Sequence, residues 1–286
     1  MAFNIALVLN IAQFALLAIV IAVVGAKLTR VCETLADQTG LGEAIMGGVF
    51  LGAATSIPGA IASTTAAWEG FAELATSNAV GGIAAQTAFL ALADMTYRKA
   101  NLEHSAASLE NIIQGAVLIA LLAIPLLAVT TSTLSIGRIH PATVVILVVY
   151  LFSLRLLAEA KKMPMWKPHP TSETYVDANS QHDLNGKDGQ TFLWIKFIIL
   201  SAILGTAGYL TATTAASLVA LTGLSASVVG ALFVAVSTSL PELVTTISAV
   251  RQGALTLAVG DILGGNSFHV FFLAFSDFPY AERSIY

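Results

Sequence analysis

Residues 235–242 read Ala-Val-Ser-Thr-Ser-Leu-Pro-Glu, and residues 52–59 read Gly-Ala-Ala-Thr-Ser-Ile-Pro-Gly. The two stretches stand 183 positions apart. Without a gap, the same offset pairs Thr39-Gly40-Leu41 with Thr222-Gly223-Leu224, Gly70 with Gly253, Leu74-Ala75 with Leu257-Ala258, and Gly81-Gly82 with Gly264-Gly265. It goes on to pair Phe89-Leu90-Ala91 with Phe272-Leu273-Ala274 and Asp94 with Asp277. A polar, proline-interrupted apolar segment that recurs in both halves points to a transporter with its site between the repeats.

Composition sets the solvent. Of 286 residues, 56% are hydrophobic and 10% charged, with a mean hydropathy of +0.82. A soluble domain carries about a quarter charged residues, so this is an integral membrane protein. The net charge of −4 forms no basic stripe, which excludes nucleic acid as a partner and leaves the lipid bilayer. The single cysteine, Cys32, builds neither a disulfide framework nor a thiolate metal site.

Apolar runs of spanning length predict eight helices, at 5–26, 44–67, 74–95, 111–130, 141–158, 192–212, 226–250 and 255–276. The first is read as a membrane span rather than a secretory signal, because no Lys or Arg precedes it. Pro58 and Pro241 should kink or unwind the second and seventh helices, since proline lacks the N–H and clashes with the preceding turn. Residues 161–190, rich in Pro, Gly, Asn and Asp, read as a polar linker between a first half, 1–160, and a second, 191–286. His169 and His182 in that linker read as solvated side chains rather than ligands.

Lys27 and Arg30, Arg98 and Lys99, and Arg155, Lys161, Lys162 and Lys167 all fall on one side of the expected bundle. The positive-inside rule makes that side cytoplasmic and puts the amino terminus outside, in a cell (inner) membrane. Five helices separate the starts of the two halves, an odd number, so the repeats are expected to be inverted.

The second copy sets Ser237, Thr238, Ser239 and Glu242 beside a helix-breaking proline at mid-membrane depth. An ionised side chain there costs about 2.5 to 3.5 kcal/mol on insertion scales and is functional by default. Hydroxyl, carboxylate and freed carbonyl oxygens suit Na⁺ or Ca²⁺, while hydroxyls alone could simply re-satisfy the backbone at a kink. Gly-rich helices follow each kink. Asn78 and Asp261 match in position and fit either a helix cap or an ion pathway; Gly81-Gly82 and Gly264-Gly265 fit close backbone packing. Asn266 and His269 share a helical face, and His269 fits either an interhelical hydrogen bond or a site role.

Ser-Thr-Ser-Leu-Pro-Glu at 237–242, followed by Ala-Val-Gly-Asp-Ile-Leu-Gly-Gly-Asn-Ser-Phe-His at 258–269, resembles the alpha repeat of the sodium/calcium exchanger superfamily of cation antiporters. Both copies, 39–94 and 222–277, carry the resemblance. It implies an all-α, polytopic transmembrane bundle of ten helices with inverted-topology repeats and ions bound between them. Eight of those ten helices are expected in this chain, which reads as lacking the last pair. The resemblance implies ion-binding hydroxyls at Thr55, Ser56, Thr238 and Ser239 and a carboxylate at Glu242, with no cofactor beyond the transported cations and no enzymatic activity.

Departures from the family pattern lie in the first copy above all. Gly59 stands where the first-repeat glutamate is expected, Gly82 and Gly265 stand for serines, and Gln86 and His269 stand for a later Asn or Asp ligand. One central carboxylate remains, and His269, if it faced Glu242, could share a proton with it. Glu73 is expected to be an interfacial cap. Two functions follow as expectations: a gradient-driven antiporter moving Ca²⁺ or another cation against Na⁺ or H⁺, and a membrane scaffold or sensor that has lost a full ion site. No phosphate loop suggests ATP, and no nucleophile–base spacing suggests an intramembrane enzyme.

Overall fold

A computed structural model describes residues 5–39, 51–97, 101–130, 139–160, 189–280 and 284–286. Residues 161–188 of the expected linker and the first residues of the expected second span fall outside them. The described residues form an all-α bundle. In chain order its helices are α1 (Ile5–Thr39), α2 (Gly52–Thr55), α3 (Ile57–Trp68), α4 (Ala72–Thr96), α5 (Leu102–Ser105), α6 (Leu109–Thr130) and α7 (Pro141–Ala160). The second half continues with α8 (Gln190–Thr222), α9 (Ala226–Val228), a π-helical turn at Val229–Val234, α10 (Ala235–Thr238), α11 (Leu240–Gln252) and α12 (Leu255–Ser276).

Six of the described helices are long and apolar enough to cross a membrane, namely α1, α4, α6, α7, α8 and α12. The pair 226–238 and 240–251, bent by 45°, makes a seventh. These seven are all among the eight expected; the start of the remaining one, expected at 44–67, lies outside the described residues. Two helices outrun their expected ends. α1 continues past Lys27 and Arg30 because both side chains reach solvent and nothing before Gly40 breaks the helix. α8 continues through a threonine-rich run because Thr211, Thr214 and Thr222 each return their hydroxyl to the carbonyl four residues back, at 2.8, 2.7 and 2.6 Å. Gly223, at φ +71°, then closes it.

Both prolines break their helices. The first piece ends at Ser56 in one half and Ser239 in the other, and each serine N–H still reaches the carbonyl four residues back, Gly52 and Ala235. Proline follows two residues later, near the start of the next piece, where its missing N–H costs nothing. The equivalence of the halves extends to detail: Gly70 and Gly253 both hold positive φ, +85° and +83°. Asp94 Oδ1 accepts the Leu102 N–H at 2.8 Å, and Asp277 Oδ1 accepts the Ile285 N–H at 2.7 Å. The repeat therefore reaches eight residues beyond the segment in which sequence identity was legible.

α1 and α8 pack along each other through Leu17, Ile21, Leu28, Cys32, Leu204 and Ala207. Each also crosses the kink of the opposite half. A Cβ added to Gly25 would stand 2.4 Å from Pro241 Cγ, and one added to Gly208 would stand 2.3 Å from the Pro58 carbonyl oxygen. Only glycine permits either approach. α12 is the central helix, buried along most of its length against α4, α6, α7 and α11. Its flank holds the α6–α7 pair through Leu121, Ile146 and the rings of Tyr150, Phe268 and Phe271.

Candidate functional site

The two breaks and the two Gly-rich helices, α4 and α12, meet in the middle of the bundle. Ser56 Oγ donates to Glu242 Oε1 at 2.9 Å, a bond from the first kink to the second. Gln86 Nε2 donates to the same carboxylate oxygen at 3.1 Å and lies 3.0 Å from His269 Nε2. With the amide in this orientation the facing imidazole nitrogen is the acceptor. All four side chains are buried. Glu242 is the single acidic member of the cluster.

Local sequence explains the placement. Glu242 falls in the first turn of α11, just beyond the break, so the start of a helix faces its carboxylate. Gln86 and His269 each lie four residues after a glycine of the same helix, and each is received by the glycine of the other helix. A Cβ on Gly82 would stand 2.3 Å from His269 Cε1, and one on Gly265 would stand 2.7 Å from Gln86 Oε1. These glycines are cradles for side chains, a use that close backbone packing alone did not anticipate. Backbone packing is the role of Gly81, whose added Cβ would meet the Ala231 backbone at 2.5 Å. A signal was present in the sequence: Gly-x-x-x-polar at the same position of both repeats.

Among the residues expected at the site, the structure joins Ser56, Gln86, Glu242 and His269 directly. Thr55 borders the Glu242 carboxylate while donating its hydroxyl to the Leu51 and Gly52 carbonyls. Thr238 does the same within its own helix, toward Val234 and Ala235, and its Oγ1 would lie 3.4 Å from a Cβ at Gly59. Ser239 is fully buried, and its Oγ makes no hydrogen bond. Neither do Glu242 Oε2, Gln86 Oε1 or His269 Nδ1.

Asn78 and Asp261 are not helix caps. Each lies in the second turn of its helix, buried, and ties that helix to the kinked helix of the same half. Asn78 Nδ2 donates to the Gly59 carbonyl at 3.1 Å and to Ser63 Oγ at 2.8 Å. Asp261 Oδ2 accepts from Thr245 Oγ1 at 2.8 Å, and that hydroxyl also reaches the Glu242 carbonyl. Both stand eight residues, about 12 Å along the helix, before Gln86 and His269. The direct contact imagined between His269 and Glu242 is replaced by a bridge through the Gln86 amide. Glu73, in the first turn of α4, accepts from Ser227 Oγ and so joins α4 to α9 instead of the central cluster.

Among the described residues no three His, Cys, Asp or Glu side chains are grouped to hold a resident metal ion. What the centre offers is one carboxylate, an amide oxygen and hydroxyls, a set suited to a weakly held, exchangeable hard cation rather than a fixed one.

Comparison with known proteins agrees with this architecture. Over 53 residues, 18% of this chain and 15% of its relative, the sequence is 47% identical to the sodium/calcium exchanger MaX1 of Methanosarcina acetivorans. Over 79 residues, 28% of this chain and 24% of its relative, it is 35% identical to the inner membrane protein YrbG of Escherichia coli. The matches thus span less than a quarter of the length of these curated relatives. Solved structures of the sodium-calcium exchanger NCX_Mj superpose over nearly the whole fold. One soaked with 10 mM Na⁺ and 10 mM Sr²⁺ gives a TM-score of 0.61 at 17% identity, covering 97% of this chain and 84% of that one. Another, soaked with 10 mM Na⁺ and no Ca²⁺, gives 0.58 at 18% identity, covering 97% and 85%. Residues 9–158 and 192–276 match the family described as sodium/calcium exchanger protein, and the chain, a multi-pass integral membrane protein, belongs to that family.

Proposed function

We propose that this chain is a secondary-active cation antiporter that moves Ca²⁺ or another cation against Na⁺ or H⁺ through the space between its two repeats. The observation that carries the reading is the hydrogen bond from Ser56 to Glu242, which joins the broken helices of opposite halves at a buried carboxylate. A buried acid bordered by hydroxyls and by interrupted helices is what a cation needs in place of its hydration shell. Glu242 supplies the charge. Ser56, Ser239 and Gln86 supply neutral oxygens, with Thr55 and Thr238 beside them. Asn78 and Asp261 act as positioning residues, holding α4 and α12 against the kinks. The positive-inside pattern supports an external amino terminus and a cytoplasmic 161–190 segment in a cell (inner) membrane.

A second reading, a scaffold or sensor without transport, is favoured by one observation, the absence of a carboxylate at Gly59. Reconstitution into proteoliposomes with imposed Na⁺ or H⁺ gradients separates the two. The antiporter moves Na⁺, K⁺ or Ca²⁺ in response, and Glu242→Gln abolishes the movement. Flux that is absent in the wild type, or unchanged in Glu242→Gln, overturns the proposal.

A further inference from the structure

The imidazole of His269 is seated on Gly82 and stands beside position 59. A Cβ on Gly59 would already lie 3.4 Å from His269 Cε1, and one on Gly82 would overlap the ring at 2.3 Å. The Cβ on Gly59 would touch Thr238 Oγ1, also at 3.4 Å, so a carboxylate at position 59 would extend from a carbon already in contact with the ring on one side and the Thr238 hydroxyl on the other.

The other half of the centre keeps a different inventory. Glu242 Oε1 is engaged by Ser56 and Gln86, while Glu242 Oε2, Ser239 Oγ and Gln86 Oε1 are buried and make no hydrogen bond. That leaves three oxygens free of hydrogen bonds, with the Ser56, Thr55 and Thr238 hydroxyls beside them, and one negative charge. Ca²⁺ takes about six to eight oxygens. A dication beside a single carboxylate would also leave one uncompensated charge in a buried, low-dielectric site, a far costlier state than a neutral pair. A monovalent cation beside Glu242 is neutral.

Resting on the antiporter reading, we infer that His269 is a specificity-determining residue, whose ring fills the first-repeat half of the site and restricts it to a single monovalent cation at Glu242. The restriction is steric as well as electrostatic, so adding a carboxylate to position 59 cannot create a divalent site unless the ring is also removed.

The test uses the full chain in nanodiscs, with its thermal midpoint followed against NaCl and against CaCl₂ at constant ionic strength in choline chloride. Four proteins are compared: wild type, Gly59→Glu, His269→Asn and the double variant. The wild type is stabilised by Na⁺ and requires more Ca²⁺ than the double variant, whose half-saturating Ca²⁺ concentration falls by about tenfold or more as ligand charge is added. Gly59→Glu alone shows no such gain. If that single variant fails to fold, the comparison of the wild type with His269→Asn carries the decision, because only the ring differs: His269→Asn should require less Ca²⁺ than the wild type. A wild type that responds to Ca²⁺ as tightly as the double variant overturns the inference and leaves the antiporter reading standing. So does a double variant that gains no Ca²⁺ response. A wild type whose midpoint no cation moves, and whose vesicles show no flux, overturns the antiporter reading itself.

Discussion

Gln86 and His269 occupy the same position in the two repeats and touch each other, with their Nε2 atoms 3.0 Å apart. A residue that meets its own counterpart lies on the axis that relates the halves. The pair therefore marks the pseudo-two-fold axis, and Glu242, bonded to Gln86, sits immediately to one side of it. The chemistry of the centre is lopsided even though its scaffold is symmetric.

The Gln86 amide links two side chains that do not otherwise meet. Gln86→Ala should destabilise the protein by about 1–3 kcal/mol, because it leaves buried partners unsatisfied. A double-mutant cycle of Gln86→Ala with His269→Ala should give a coupling energy of about 0.5–3 kcal/mol, read from thermal or denaturant midpoints in detergent. Additive effects would mean that the 3.0 Å contact carries no energy.

Asp277 and Asp94 are equivalent acids with unequal work. Among the described residues Asp94 accepts the Leu102 N–H, whereas Asp277 accepts those of Ile285 and His140, at 2.7 and 2.9 Å, and the Thr143 hydroxyl at 2.7 Å. Asp277→Ala should cost several kcal/mol, about 1.5–3 for each charge-assisted bond lost, and Asp94→Ala about one such bond. Midpoints of the two single variants give the ranking, and an equal loss would contradict it.

The glycines at the crossings differ sharply from a glycine in open space. Gly208→Ala and Gly25→Ala should each destabilise by about 1–3 kcal/mol, since the new methyl group meets Pro58 backbone or the Pro241 ring. A Cβ on Gly115 meets nothing within 4 Å, so Gly115→Ala should be neutral or stabilise α6 by up to about 1 kcal/mol. Reversal of that order in detergent melting curves would count against the packing described.

Sidedness is open to labelling. Cys32 is buried, so a cysteine placed at Ser180, in the polar 161–190 stretch, supplies the thiol on which labelling can report. An impermeant maleimide should label Ser180→Cys in inside-out vesicles and not in intact cells or spheroplasts. Labelling from the outside would reverse the proposed orientation.

Much of the fold was legible because its determinants are local. Pro58, Pro241, Gly70 and Gly253 act through their own backbones, so their recurrence at one offset reveals two like-shaped segments before any contact is known. The end of the span expected at 192–212 was harder to read: Thr214 and Thr222 lie beyond it, yet each, like Thr211, satisfies its hydroxyl within α8, and the helix runs on to Thr222. The π-helical turn at Val229–Val234 has no sequence signal of this kind; it carries Gly230, which lies so close to Leu74 and Ser77 of α4 that an added Cβ would overlap them. Of the centre, Glu242 and Ser56 were visible as residue types, but their bond required the crossing of two segments 186 residues apart. The seating of His269 on Gly82 required it too. Glycine announces missing volume without saying whose side chain will use it.

The reciprocal contacts of Gly25 with Pro241 and of Gly208 with Pro58 bear on how the chain assembles. Each half lends its leading helix to brace the hinge of the other, as two hands clasp with thumbs exchanged. Each bent helix therefore takes part of its packing surface from the other half, and the two copies are interlocked at their breaks and not merely laid side by side.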